Sequence, residues 1–300
     1  SIGWFDSSVS FGEPGFEERE TIVNGLHTAS KSGFTDIVLN PTSHPIPDSS
    51  SDIVFLKNAA MGNATNMYPL GCLTVRGEGK DLAELYDMKS AGALAEELQI
   101  ARDLFILEYT GGKLHIPTIS TAGSVKLISE AKKKGLDVSC SVAIHNLIFT
   151  DESLVEFDTH YKILPPLRTK NDVKALLKGL KEGTIDMVTS DHVPMDIELK
   201  RVEFDNAANG SIGLESAFGA LNTVLDLEAT ITLLTKGRER FGLKTPILKE
   251  GEKASLTLFN PNKEYTFDPE NILSTSKNSM FLGAKLKGKA IGVIANGQVI

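Results

Sequence analysis

The chain has 300 residues, 41% of them hydrophobic and 23% charged, with a formal net charge of −8 at pH 7. That size and balance fit an ordinary globular protein of one large or two average domains, and exclude a disordered, collagen-like or low-complexity chain. The acidic balance argues against a nucleic-acid partner, and no apolar run reaches the roughly 18 residues that span a bilayer, so a cytoplasmic protein with no membrane segment is expected.

The chain opens Ser1-Ile2-Gly3-Trp4-Phe5-Asp6, without the basic and apolar regions of a secretory leader, and reads as though it starts inside a fold. Residues 3–11 form a first strand. An amphipathic stretch over 17–32 precedes a β-rich run at 35–39. Residues 68–75 read as a third strand, followed by helical patterns over 81–90 and 94–109, the second stopped by Gly111-Gly112. Then come strand 114–119, helix 122–134, strand 137–144, helix 170–180 and strand 184–188. This alternation predicts parallel βα units and an α/β fold. After about residue 245 the rhythm changes to antiparallel β at 254–259 and 290–295, with Asn296-Gly297 as a turn. The expected division is a barrel over 1–245 and a small β-sandwich portion over 246–300. No internal repeat is visible.

Six βα units can be counted, whereas a closed parallel barrel has eight. The shortfall falls near 93/94, where two helical patterns follow one another with no strand between them. Two units amount to roughly 60 residues. Either the chain is interrupted between Ala93 and Leu94, or strands four and five are absent there.

Cys72 and Cys140 each lie in an apolar β-like run without a partner at ligand spacing, which predicts reduced core thiols. Asp191 and His192 follow directly on strand 184–188, the position where parallel barrels keep their chemistry. An aspartate there can ligate a metal or take a proton from a metal-bound water; alternatively it caps the turn, with His192 packed beneath. His145 ends strand 137–144 and is either a ligand or a satisfied loop histidine. His44 lies in a Pro-rich loop on the functional face, while His27, His115 and His160 read as structural. There is no His-x-His, His-Glu-x-x-His or Gly-x-Ser-x-Gly motif. The run Arg76-Gly77-Glu78-Gly79-Lys80 reads as a turn, because Asp81 stands where a phosphate loop needs Ser or Thr.

Five segments resemble, in order and character, those of dihydroorotases of the amidohydrolase superfamily: WFDSSVSFGEPGFEERETI, GFTDIVLNPTSHP, LHIPTISTAGSVKLI, ILPPLRTKNDVKALLKGLKEGTIDMVTSDHVP and ANGSIGLESAFGALNT. EGEKASLTLFNP and GKAIGVIANGQVI resemble that family's closing sandwich strands. The resemblance implies a TIM-type (β/α)8 barrel with a small β-sandwich appendage and one or two zinc ions. It also implies interconversion of N-carbamoyl-L-aspartate and L-dihydroorotate in pyrimidine biosynthesis, a metal-bound hydroxide attacking the ring amide.

Carried over residue by residue, the resemblance gives a depleted site. The family's first strand ends in His-x-His, followed two residues on by an Arg that clamps the substrate carboxylate. Those positions are Ser8, Ser10 and Gly12 here. The substrate-holding Asn after strand two is Thr42, the strand-six histidine ligand is Thr118, the Asn before Pro-Pro-Leu-Arg is Leu164, and the final His of Asp-His-x-Pro-His is Met195. Asp191 matches the catalytic and metal-binding aspartate, with His145 as a metal or substrate contact and His192 as a substrate contact. A bridging carboxylate or carboxylated lysine and a further histidine would fall in the segment absent near 93/94. Hydroxyls are poor zinc ligands beside imidazole, so zinc is expected to be weak or absent. Two functions stay open. One is a dihydroorotase-type hydrolase acting on a small acidic substrate through an altered site. The other is a non-catalytic homologue, itself a homo-oligomer, kept as an assembly or regulatory partner of aspartate carbamoyltransferase or of an active paralogue. A hydantoinase- or allantoinase-like hydrolase is a third reading and needs the same missing ligands.

Overall fold

The computed structural model describes residues 1–72 and 93–300. Its body is built on parallel strands. β1 (Trp4–Val9), β2 (Phe34–Leu39) and β5 (Val138–Ala143) are buried at every position, the pattern of strands covered on both faces. β1, β2 and β3 (Asn66–Pro69) pair in one sheet; β4 (Leu114–Ile116), β5 and β6 (Met187–Thr189) pair in another. The two sheets meet where Val9 bridges His192 in parallel and the Ser10 N–H donates to the His192 carbonyl at 2.8 Å. The described strands therefore form one arc in the order β4-β5-β6-β1-β2-β3.

Helices α1 (Ile22–Lys31), α2 (Ser50–Ala59), α3 (Ala93–Thr110), α4 (Ala122–Lys133) and α5 (Lys170–Lys181) connect the strands. Their starts are written locally. Thr21 and Thr121 cap α1 and α4, and Thr169 with Asp172 closes a capping box on α5. Such caps are each worth about 1 kcal/mol. From α5, Leu176 and Leu180 reach the core. α6 (Ile197–Lys200), α7 (Ala217–Val224) and α8 (Leu227–Thr235) follow β6.

Several expectations need correction. Among the described residues the third strand is Asn66–Pro69, starting earlier than the expected 68–75 and leaving 70–72 outside it; residues 73–75 and the 81–90 helix lie outside the described residues. Ala93 and Leu94 are consecutive residues of α3. α2 gave no sequence signal, because Val54 and Phe55 point outward and Leu56 alone is buried. Cys140 is a buried free thiol, but Cys72 is only half-buried and lies outside any strand.

The C-terminal residues form an antiparallel sheet of β7 (Ser255–Thr266), β8 (Lys285–Ala295) and β9 (Gln298–Val299). Asn296 and Gly297, both with positive φ, make the tight turn into β9. Ile2 pairs antiparallel with Leu256, and the Trp4 ring packs on Phe218 and Phe259, which docks this sheet on the body. Arg238, almost fully buried, donates from Nη2 to Asp36 Oδ2 at 2.8 Å and to the Gly3 carbonyl at 2.7 Å. That pair ties β2 to the segment after α8. No helix among the described residues is long and apolar enough to cross a membrane.

Candidate functional site

The site is assembled at the C-terminal ends of β1, β2 and β6. Asp6 and Ser8 both lie on β1, whose pairing with β2 shifts register between Asp6 and Val9. Asp6 accepts from the Ser8 N–H at 3.0 Å, from the Ser190 N–H at 2.9 Å and from the Thr189 hydroxyl, stitching β1 to β6. Burial raises its pKa, against the hydrogen bonds from Ser190, Thr189 and Ser8 that lower it.

One step further along, Ser8 Oγ donates to Asp191 Oδ1 at 3.2 Å. Asn40, the residue after β2, donates from Nδ2 to Ser8 Oγ at 3.1 Å and to Ser10 Oγ at 3.2 Å. The Asp191 N–H donates to Thr189 Oγ1 at 3.2 Å. Asp191 has φ +49°, a left-handed conformation that Asp tolerates better than most residues. Burial raises its carboxyl pKa to about 7, with the Ser8 hydrogen bond opposing.

His145 Nε2 lies 3.9 Å from Asp191 Oδ2, beyond hydrogen-bond reach, and has no hydrogen-bond partner. Burial lowers its pKa to about 4, so the ring is neutral near pH 7 and the two side chains do not form an ion pair. His192, expected to meet substrate, is instead fully buried. Its Nδ1 accepts from the Gly213 N–H at 3.2 Å and the Leu214 N–H at 3.4 Å, and Phe11 lies edge-on to the ring. It holds backbone in place behind Asp191.

No hydrogen bond among the described residues joins the remaining expected positions to this cluster. Thr118 donates its N–H to Ser141 Oγ at 3.3 Å and has φ +46°, a strained conformation for a β-branched residue. It lines a cavity shared with Leu164 and Arg168. Gly12 cannot carry a side chain, because a Cβ there would sit 1.8 Å from the Phe16 carbonyl oxygen. Thr42 is exposed, Leu164 is 63% exposed, and the Met195 N–H is held by Asn278 Oδ1. None of the four clamp positions carries a charge. Sequence reasoning missed Asp6 and Asn40. Asp6 was findable, two residues before Ser8 on the same strand; Asn40 had no local signal.

These donors do not suit one or two zinc ions. Zinc takes four nitrogen, sulfur or oxygen donors, and among the described residues no three His, Cys, Asp or Glu side chains converge. Asp191 is met by the neutral hydroxyl of Ser8, and Asn40 reaches both Ser8 and Ser10.

Comparison with known proteins adds three relatives. A family model described as dihydro-orotase-like matches residues 2–99. The dihydroorotase of Pelotomaculum thermopropionicum is 33% identical over 366 aligned positions, which cover 99% of this chain and 86% of that protein. Because 366 positions exceed the 300 residues available here, that relative carries residues inside the aligned span that this chain lacks. Among solved structures, L-hydantoinase from Arthrobacter aurescens superposes with a TM-score of 0.85 at 20% identity, over 100% of this chain and 84% of that one. The inactive dihydroorotase-like domain of a Chaetomium thermophilum CAD-like multifunctional protein gives 0.69 at 16%, over 99% and 93%. The structural likeness establishes the fold as an amidohydrolase-type barrel.

Proposed function

Because the chain belongs to the dihydroorotase family, its departures at the barrel mouth are departures from a hydrolytic site, and we propose that it is a non-catalytic homologue whose barrel serves assembly or regulation. The observation that carries this reading is the Ser8–Asp191 hydrogen bond, with Asn40 spanning Ser8 and Ser10. Hydroxyl and amide groups fill the space where the resemblance puts two imidazoles, and they satisfy one another. Asp191 would be the catalytic carboxylate of an active site and His145 its remaining imidazole. Two donors are too few to hold a zinc ion against water. An acidic substrate would meet Gly12, Thr42, Leu164 and Met195 with no cation at any of these positions, in a chain of net charge −8.

We read the chain as a barrel over 1–245 with a sandwich portion over 246–300, lacking two βα units near 93/94. The six parallel strands among the described residues and the longer aligned span of the relative support this. An assembly role has its own support. Leu98, Phe105, Ile106 and Tyr109 of α3 are 48%, 71%, 49% and 86% exposed, and clustered apolar exposure of this kind marks interaction sites. An active paralogue, aspartate carbamoyltransferase or a second copy of this chain are the partners to try.

Equilibrium dialysis against zinc tests the reading at its base. Sub-stoichiometric zinc at micromolar concentration is expected. One or two tightly held ions per chain, released in Asp191→Ala, would overturn it.

A further inference from the structure

We propose that α3 is a self-association helix, which pairs antiparallel with α3 of a second copy of this chain about a two-fold axis. The inference rests on the assembly reading above and names its partner. Ile100, Leu104 and Leu107 turn one side of α3 into the body, where all three are buried. On the opposite side Leu98, Arg102, Phe105 and Tyr109 are exposed and share one stripe. Their spacing alternates four, three and four residues, which is that of a coiled-coil seam. Arg102 and Tyr109 take the a positions of the heptad and Leu98 and Phe105 the d positions. Exposed apolar residues scattered singly are ordinary, whereas a continuous stripe of them marks a contact surface.

Charge decides both the partner and the direction. A parallel pair would set Arg102 against the partner's Arg102, like charge on like within an apolar seam. Reversing one helix exchanges the order of a and d along the seam, so each a position layers with a d position. Leu98 then lies level with the partner's Tyr109, and Arg102 with the partner's Phe105. The Arg102 guanidinium, which holds Asp103 Oδ1 at 2.8 Å, is free to cover that ring face, an arrangement the ring's negative face favours. At the flanks Ala101 comes near the partner's Glu108 and Gln99 near the partner's Ile106, so no like charges meet. Both copies use the same residues, which makes the contact isologous and closes it at two. A lipid surface is the poorer occupant, because Arg102 is the sole cation in Ala93–Thr110 beside Glu96, Glu97, Asp103 and Glu108. Four layers over about 16 Å of helix fall short of a standard interface, so the dimer is weak and concentration-dependent.

Sedimentation equilibrium of the full chain tests the pairing. We expect a monomer–dimer equilibrium with a Kd between about 1 and 100 µM. Phe105→Glu should weaken it at least ~10-fold. Leu98→Lys and Tyr109→Glu should each weaken it alone, and a chain carrying both should dimerise at least ~3-fold more tightly than either single variant. The two substituted side chains stand about 16 Å apart within one helix and come together only across an antiparallel pair. Because all three positions are exposed, the variants should keep the parent's far-ultraviolet circular dichroism. A chain that stays monomeric at ~500 µM, a dimer indifferent to Phe105→Glu, or no recovery in the doubly substituted chain would each overturn the proposal. Zinc retention and turnover are read separately: a monomer would remove this dimer and leave the non-catalytic reading standing, while turnover by a dimer would remove that reading alone.

Discussion

Ser8 Oγ donates a hydrogen bond to Asp191 Oδ1 across 3.2 Å, so a neutral hydroxyl faces a buried carboxylate where the dihydroorotase family places an imidazole ligand. Asp191 takes this position on a left-handed backbone, with φ +49°. The consequence is electrostatic, and it is measurable.

With its pKa raised by burial to about 7 from an unfolded value near 3.8, Asp191 holds a proton in the folded state that the unfolded chain has already lost. A raised pKa contributes stability below the unfolded value and loses it as pH climbs through the folded one. The window is therefore pH 4 to 7, and the integrated penalty above it is of order a few kcal/mol. Asp191→Asn removes the titration and tolerates the same φ. It should raise the midpoint of urea unfolding at pH 8 and have little effect at pH 4. A destabilised Asn variant at pH 8 would mean that the carboxylate is compensated.

Much of the frame was legible in the sequence, because burial on both faces writes a strand such as Val138–Ala143 as a continuous run, and caps such as Thr169 with Asp172 write a helix start. Strand ends also placed Asp191 and His145. The roles within the site were not legible. Asn40 acts on Ser8 and Ser10, some 30 residues away in sequence, and Asp6 acts on Thr189 and Ser190. His192 adjoins Asp191 in sequence, yet the tight turn at Asp191 sends its ring into the core.

Restoring the family's motif should fail at Gly12 before it fails chemically. A Cβ there meets the Phe16 carbonyl at 1.8 Å, and the contact is backbone rather than a yielding side chain. Gly12→Ala should destabilise by more than about 2 kcal/mol in chemical denaturation. Ser8→His, Ser10→His and Gly12→Arg together should give no soluble active protein. An unperturbed Gly12→Ala midpoint would show that the 12–20 loop rearranges freely.

Thr118 pays for a left-handed backbone with a β-branched side chain whose hydroxyl makes no hydrogen bond among the described residues. Relief of that strain exceeds the chain entropy that glycine adds. Thr118→Gly should stabilise by about 0.5–1 kcal/mol, read as a rise in melting temperature; a fall would show that the side chain packs productively in the cavity.

Arg238 and Asp36 form a buried ion pair that joins β2 to the segment after α8. Breaking one side leaves a buried charge unpaired, which costs about 3–5 kcal/mol. Arg238→Met should show a loss of that size in urea, with barrel and C-terminal sheet unfolding in one transition. A loss below about 1 kcal/mol would mean that water reaches Asp36 once the guanidinium is gone.

The central claim is that this barrel no longer performs the family's reaction. Steady-state cyclisation of N-carbamoyl-L-aspartate, assayed with zinc supplied in excess, tests it most directly. The account predicts a rate indistinguishable from the zinc-only control and unchanged in Asp191→Ala. Turnover on the order of 1 per second or more, abolished by Asp191→Ala, would contradict it.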